Sequence, residues 1–183
     1  MSIRETQREL VVARLCEHLL QHGLALTSLR QLAAAAQVSD RMLLYYFTDK
    51  TEILSQTLKR IAEGLVAGLN AALPAEPMPA HILMNNALQL VRSPEVQPSM
   101  RLWLEIVAAA ARNEEPFPII AAGILDQFLV WLDRRLDIAD QTKRREAAAL
   151  ILATIDGIAL FDLVGRIELA NAAQNGIEVS ENK

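Results

Sequence analysis

A chain of 183 residues that is 52% apolar but only 4% aromatic is long enough for one generous core or two small ones. Leu, Ala and Ile supply the apolar excess while Gly (7) and Pro (7) are scarce. That mixture favours helices, because strands prefer β-branched and aromatic side chains, and an all-α fold is expected. The single cysteine, Cys16, excludes an internal disulfide and a thiolate metal cluster.

The charged start MSIRETQREL gives no expectation of a signal peptide, and no run approaches about 18 uncharged apolar residues. The reading is of a cytoplasmic protein with no membrane partner. The net charge of −4 hides an asymmetry. Residues 1–60 hold eight Lys/Arg against six Asp/Glu, whereas residues 61–183 hold ten against sixteen. A basic front and an acidic body have the sign expected of a DNA-binding end, although the difference is modest.

In chain order, Leu10, Val11, Ala13, Leu15, Leu19 and Leu20 fall at helical spacing, and Gly23 ends that helix in a left-handed cap. Ser28 with Gln31 three residues on predicts a capping box opening a helix whose buried stripe is Leu29, Leu32, Ala33 and Ala36. Ser39 opens a further short helix that runs through Phe47. After Thr48-Asp49 a long helix is expected from Lys50 to about Leu73. The segment LPAEPMP carries three prolines in its last six positions and is the clearest linker. Beyond it the pattern predicts helices near 80–92, 98–113, 117–136 and 142–171, with a frayed polar tail over 171–183.

Two short capped helices joined by a tight connection at Ala36 to Val38 have the spacing of a helix-turn-helix, whose second helix reads the major groove. The stretch SLRQLAAAAQVSDRMLLYYFTDK resembles the DNA-binding motif of the TetR family of bacterial regulators. The matching residues are Ser28, Leu32-Ala33, Gln37-Val38-Ser39, Leu43-Leu44-Tyr45-Tyr46-Phe47 and Lys50. Two positions depart from the family pattern. Gln37 stands at the turn position that is usually Gly, where a left-handed conformation is called for. Leu44 stands where the family usually has its first tyrosine.

The resemblance implies a helix-turn-helix domain over residues 1–50 and a helical effector-binding and dimerisation domain over 51–183, with residues 50–73 as the connecting helix. It implies double-stranded DNA, an unidentified small-molecule effector and a second copy of the chain as partners, and no cofactor. The DNA-binding set it implies is Ser28, Arg30, Ser39, Asp40, Arg41, Met42, Tyr45, Tyr46 and Lys50. An Arg fork at position 30 or 41 can grip guanine bidentately. Asp40 can accept from a cytosine amino group or simply stabilise the helix N-terminus. Tyr45, Tyr46 and Lys50 look like phosphate clamps, and Leu32, Val38, Leu43 and Phe47 are read as core.

In the body, Arg144 to Leu169 is apolar around its whole axis, which requires burial on most sides. Leu150, Ile151, Ile155 and Ile158 are accordingly read as a dimer interface. The larger side chains Met100, Trp103, Phe117, Phe128, Trp131 and Phe161 are candidates for lining an effector pocket, with the Ala-rich stretch Ala108 to Ala111 leaving room beside them. Asp126, Asp156 and Asp162 interrupt apolar helices and are either solvated edges, interface groups or ligand contacts. No Ser/His/Asp set, glycine-rich phosphate loop or ligand-spaced cluster points to an enzyme or a metal. His18 and His22 lack an evident third ligand. The expected function is a regulator, most readily a repressor released from a palindromic operator by its effector.

Overall fold

The computed structural model describes residues 3–181, and these form nine α-helices. They are α1 (Ile3–His22), α2 (Leu29–Ala35), α3 (Asp40–Tyr46), α4 (Lys50–Ala72), α5 (Ala80–Val91), α6 (Gln97–Ala111), α7 (Phe117–Arg135), α8 (Gln141–Leu163) and α9 (Ile167–Glu181). The only β-type pairing among the described residues is an isolated parallel bridge between Met78 and Leu136. The all-α expectation holds, and so do the breaks at Gly23, at the proline segment and between the helices expected near 80–92, 98–113 and 117–136. No helix among the described residues is long and apolar enough to cross a membrane.

The chain forms two compact units. The first runs to Leu65 and includes Arg101–Ile124; the second comprises Val66–Met100 and the residues from Leu125 onward. Chain position alone would put Arg101–Ile124 in the body. Burial puts it in the first unit: Leu102, Ile106, Ile120 and Ala121 share one core with Leu15, Leu19, Leu32, Leu43, Phe47, Ile53 and Leu58. Helices α1 to α4 do not enclose that apolar surface alone, and these residues close it.

Local chemistry sets the corners of the first unit. Helix α2 ends in a Schellman motif, with Val38 N–H donating to Ala33 C=O (3.0 Å) and Gln37 N–H donating to Ala34 C=O (3.0 Å). Gln37 holds the left-handed position at φ 57, so the turn keeps its geometry without glycine at about 1–2 kcal/mol of backbone cost. At Gly23 the φ is 64 and a Cβ would overlap the Glu105 carboxylate. That carboxylate accepts a hydrogen bond from Leu24 N–H at 2.6 Å. Glycine is required there by conformation and by space together.

Cys16 packs against this core, and its thiol donates to Thr57 C=O at 3.6 Å. Burial pushes the thiol up to about 11 from an ordinary 9.0. At pH 8 its thiolate fraction is therefore about a hundredfold below that of a solvated cysteine, and iodoacetamide should alkylate it slower by that factor than in the urea-unfolded chain. Equal rates in the two states would show that Cys16 is open to reagent.

In the second unit, α8 packs against α5 and α9. Ile151, Ile155 and Ile158 lie in this core with Leu83, Leu88 and Val91. One helix was expected across 142–171, but α8 ends at Leu163 with a second Schellman motif. Arg166 N–H donates to Phe161 C=O at 2.8 Å and Gly165 N–H to Asp162 C=O at 3.0 Å, with Gly165 at φ 78.

The described part of the expected frayed tail, up to Glu181, is helix α9 instead. Its polar residues have a half-buried cation to satisfy. Arg92 donates to Asn171 (2.7 Å) and Gln174 (2.8 Å), and it pairs with Asp162 at 2.8 Å. Asp162 is thus an ion-pair partner within the unit. The proline segment is not loose either. Met78 N–H donates to Arg135 C=O (2.8 Å) and Asp137 N–H to Met78 C=O (3.0 Å). The Arg135 guanidinium donates to Pro74 C=O and to Asn70 (2.6 Å), beneath which the Trp131 indole also donates to Asn70 at 2.8 Å.

Candidate nucleic-acid interface

The surface that the sequence singles out is built on two short, firmly capped helices. Gln31 N–H donates to Ser28 Oγ (3.4 Å) while Ser28 N–H donates back to Gln31 Oε1 (3.0 Å), the reciprocal box expected for α2. Met42 N–H donates to Ser39 Oγ at 3.2 Å and starts α3. Arg14 Nη1 donates to Ala36 C=O at 2.9 Å, so α1 holds the carboxyl end of α2 as well. Leu43 and Phe47 are buried at 0% and 2% exposure and anchor α3 from beneath.

With those two positions fixed, helical periodicity turns Asp40, Arg41, Leu44 and Tyr45 outward, and all four are exposed. Arg41 and Tyr45 are four residues apart and share one face of α3. Met42 is also exposed, as are Ser28, Arg30, Ser39 and Lys50, while Tyr46 is half-buried. Each residue of the expected DNA-binding set is therefore at the surface of the first unit, and Leu32, Leu43 and Phe47 are inside it. Val38 is partly buried against the same core.

Lys50 is the first residue of α4, and a third cap sets it. Glu52 N–H donates to Asp49 Oδ1 at 2.8 Å, and Thr48 N–H donates to Glu52 Oε2 at 2.6 Å. The Thr48 N–H bond is the main reason the Glu52 carboxyl lies below its usual range. Its pair with Arg8 (3.6 Å) contributes less.

Sequence reasoning missed the two arginines of α1. Arg4 donates to Tyr45 C=O (3.3 Å), with its guanidinium carbon 4.7 Å from the Tyr45 ring centroid. Arg8 donates to Tyr46 C=O (3.4 Å) and to Gln56, and lies 4.9 Å from the Phe47 ring centroid. Their i, i+4 spacing was the available signal, but only the packing of α1 against α3 shows what they meet.

The remaining candidates are not gathered in one place. A cleft of about 650 Å³ in the first unit is lined by Leu24, Lys50, Leu54, Glu105, Ala108 and Phe117 among others. Of the six proposed pocket side chains only Phe117 lines it. Trp103 packs against the first unit's core, and Met100, Phe128, Trp131 and Phe161 belong to the second unit. Trp131 is committed to the Asn70–Arg135 cluster there. Three of the four residues read as a dimer interface, Ile151, Ile155 and Ile158, are only 2%, 8% and 2% exposed within the single chain. They are the second unit's own core, because α5 and α9 cover that face of α8. Leu150, on the other face, is 68% exposed. The His18 and His22 rings lie 4.8 Å apart, tilted by 53°, and no group of three or more His, Cys, Asp or Glu among the described residues is placed to hold a metal.

Residues 15–57 match the family model of bacterial regulatory proteins of the tetR family. No curated protein matches the chain. Among solved structures, a transcriptional regulator from Rhodococcus sp. Rha1 has the same fold, with a TM-score of 0.72, 22% identity and 94% of each chain covered. The multidrug binding protein EbrR complexed with proflavin is similar at a TM-score of 0.68 and 23% identity, covering 94% of this chain and 98% of its own. A protein from Saccharomonospora viridis in complex with choline is similar at 0.67 and 14%, covering 95% and 94%. The match over residues 15–57 coincides with the two capped helices and their outward face, and over the rest of its length the chain shares the fold of these solved structures.

Proposed function

We propose that the protein is a homodimeric repressor that leaves a palindromic operator when a small molecule binds. The observation that carries this reading is the outward face of α3, where Arg41 and Tyr45 stand exposed on a helix fixed by Leu43 and Phe47. A helix anchored from below can enter a major groove without rearrangement. Arg41 reads a base edge, Arg30 supports it from α2, and Tyr45, Tyr46 and Lys50 grip the phosphates on either side. Ser28 and Ser39 act through the helix ends that they cap.

Two copies are needed to present two such helices to successive grooves. The outer face of α8 supports that pairing: Leu150, Ala153, Gly157, Leu160 and Val164 recur at alternating spacings of three and four, the repeat by which two helices pack side by side. The effector is supported by the small molecules held by two proteins of the same fold, proflavin and choline. Met100, Phe128, Trp131 and Phe161 remain its proposed surroundings in the second unit. An effector that favours a spacing of the recognition helices other than the DNA-competent one lowers the DNA-bound population by its differential affinity, with α4 as the connecting element.

The test is a salt titration of binding to a selected operator and to random duplex. Lys50→Ala should weaken both about equally and reduce the slope of log K against log salt by about one per half-site. Arg41→Ala should instead relax preference at one base pair, costing about 1–3 kcal/mol there. Tyr46→Phe should act like the lysine change but without altering the slope, since a hydroxyl releases no counterion. If Lys50→Ala changes base preference and Arg41→Ala does not, the face of the motif assigned to the groove is the wrong one.

A further inference from the structure

We infer that Arg4 is a further phosphate-contacting residue, held in place by Tyr45 at the carboxyl end of the recognition helix; the inference rests on the DNA-binding reading of α3. Helix α3 leaves its last carbonyls without intrahelical donors, and two arginines one turn apart on α1 supply them. Arg4 donates to Tyr45 C=O at 3.3 Å, and Arg8 donates to Tyr46 C=O at 3.4 Å. The two cations then have different fates. Arg8 is turned inward, where it meets Glu52 at 3.6 Å, Gln56 and the Phe47 ring. Its charge is balanced locally and its donors are engaged, so it is a positioning residue. Arg4 is exposed, as is Tyr45, and the guanidinium lies over the Tyr45 ring at 4.7 Å.

Stacking on a ring orders a guanidinium without neutralising it. A guanidinium carries five N–H donors, and the Tyr45 carbonyl occupies only part of that set. What remains is a pre-ordered cation beside Tyr45, the side chain that the DNA-binding reading already places on a phosphate. The ordering matters because a long, free side chain must surrender its rotamer freedom on binding, and this one has surrendered part of it in advance. The geometry also predicts that Arg4 serves every DNA sequence alike, since it meets Tyr45 near the carboxyl end of α3, whereas Arg41, the position assigned to base reading, is in the first turn. It adds affinity and salt dependence without specificity.

The experiment uses the full chain and a random-sequence duplex of about three helical turns, with the selected operator alongside. Arg4→Gln removes the charge and keeps the length, Arg4→Lys keeps the charge and loses the planar stack, and Lys50→Ala is the reference variant. Helicity and melting are followed for each by circular dichroism. For Arg4→Gln the slope of log K against log salt should fall by about 0.9 for each subunit on the DNA, equally on both duplexes, with melting unchanged. Arg4→Lys should restore the slope, because the slope counts charges. An unchanged slope for Arg4→Gln, when Lys50→Ala lowers it, overturns the Arg4 contact and leaves the DNA reading standing. A lower affinity with an unchanged slope and reduced melting overturns it too, showing Arg4 to be only a cap on α3. A wild-type chain that binds neither duplex removes the DNA reading and this contact together.

Discussion

Phe47→Ala should lower the free energy of unfolding by about 3–5 kcal/mol, as expected for a fully buried aromatic ring cut back to a methyl group. The residue is 2% exposed and packs in the core that joins α1, α3, α4 and α6. It is also the C-cap of α3, and its N–H donates to Leu43 C=O at 3.0 Å. The ring belongs to a core that also holds fully buried residues of α1 (Leu15, Leu19) and α4 (Ile53), which limits how far the void can close. The Arg8 guanidinium over the ring loses its partner as well, for about another 0.5–1 kcal/mol. Denaturant unfolding should show a lower midpoint with little change in slope. DNA binding should fall in parallel, although the ring itself faces no DNA.

The control is Leu44→Ala, one helical face away. Leu44 is 45% exposed, and its truncation should stay within about 0.5 kcal/mol of wild type. Equal losses for the two variants would mean that α3 is rotated about its axis relative to the arrangement described above. The outward set Asp40, Arg41 and Tyr45 would be misassigned by the same rotation.

Leu150→Asp and Ile155→Asp should fail in different ways, although both place a carboxylate on α8. Ile155 is 8% exposed and faces the second unit's core, so a carboxylate there is cut off from water. That variant should lose cooperative unfolding and much of its helicity at any protein concentration. Leu150 is 68% exposed in the single chain. Its substitution should leave helicity intact and convert a dimer into a monomer near the chain mass of 20.2 kDa in sedimentation. Two carboxylates brought together across a symmetric apolar seam cost far more than one on a solvated face. A Leu150→Asp protein as dimeric as wild type would move the interface elsewhere, and a monomeric wild type would remove it. The same pair of variants should separate in DNA binding, since a folded monomer loses the palindromic site but keeps a weak, salt-sensitive grip on single half-sites.

Much of the first unit was legible in the residues because its signals are local. Ser28 and Gln31 cap each other within one turn, Ser39 caps the next helix, and Gln37 adopts the left-handed turn that its position demanded. Such features depend on neighbours three or four positions away, and short-range patterning records them. The outward direction of Arg41 and Tyr45 followed once Leu43 and Phe47 were recognised as core. Family resemblance over the same stretch then implied what those positions are for.

Only the tertiary structure could decide which apolar faces meet. The residues around the axis of α8 are equally greasy, so nothing local distinguishes Ile155, covered by the chain itself, from Leu150, left open. Leu102 and Ile106 carry no mark in sequence of belonging to the amino-terminal core, since hydrophobic burial has no direction and pays no regard to chain position. The polar residues Asn171 and Gln174 read as a solvated tail until Arg92, far away in the chain, is seen to need their oxygens. Arg4 and Arg8 likewise read as surface charges until α1 is laid against α3. Across the first unit's motif the sequence by itself determined where helices start and stop, through caps and turns acting within a few residues. Packing decided what each helix hides, because burying a side chain is a relation between residues that the chain keeps far apart.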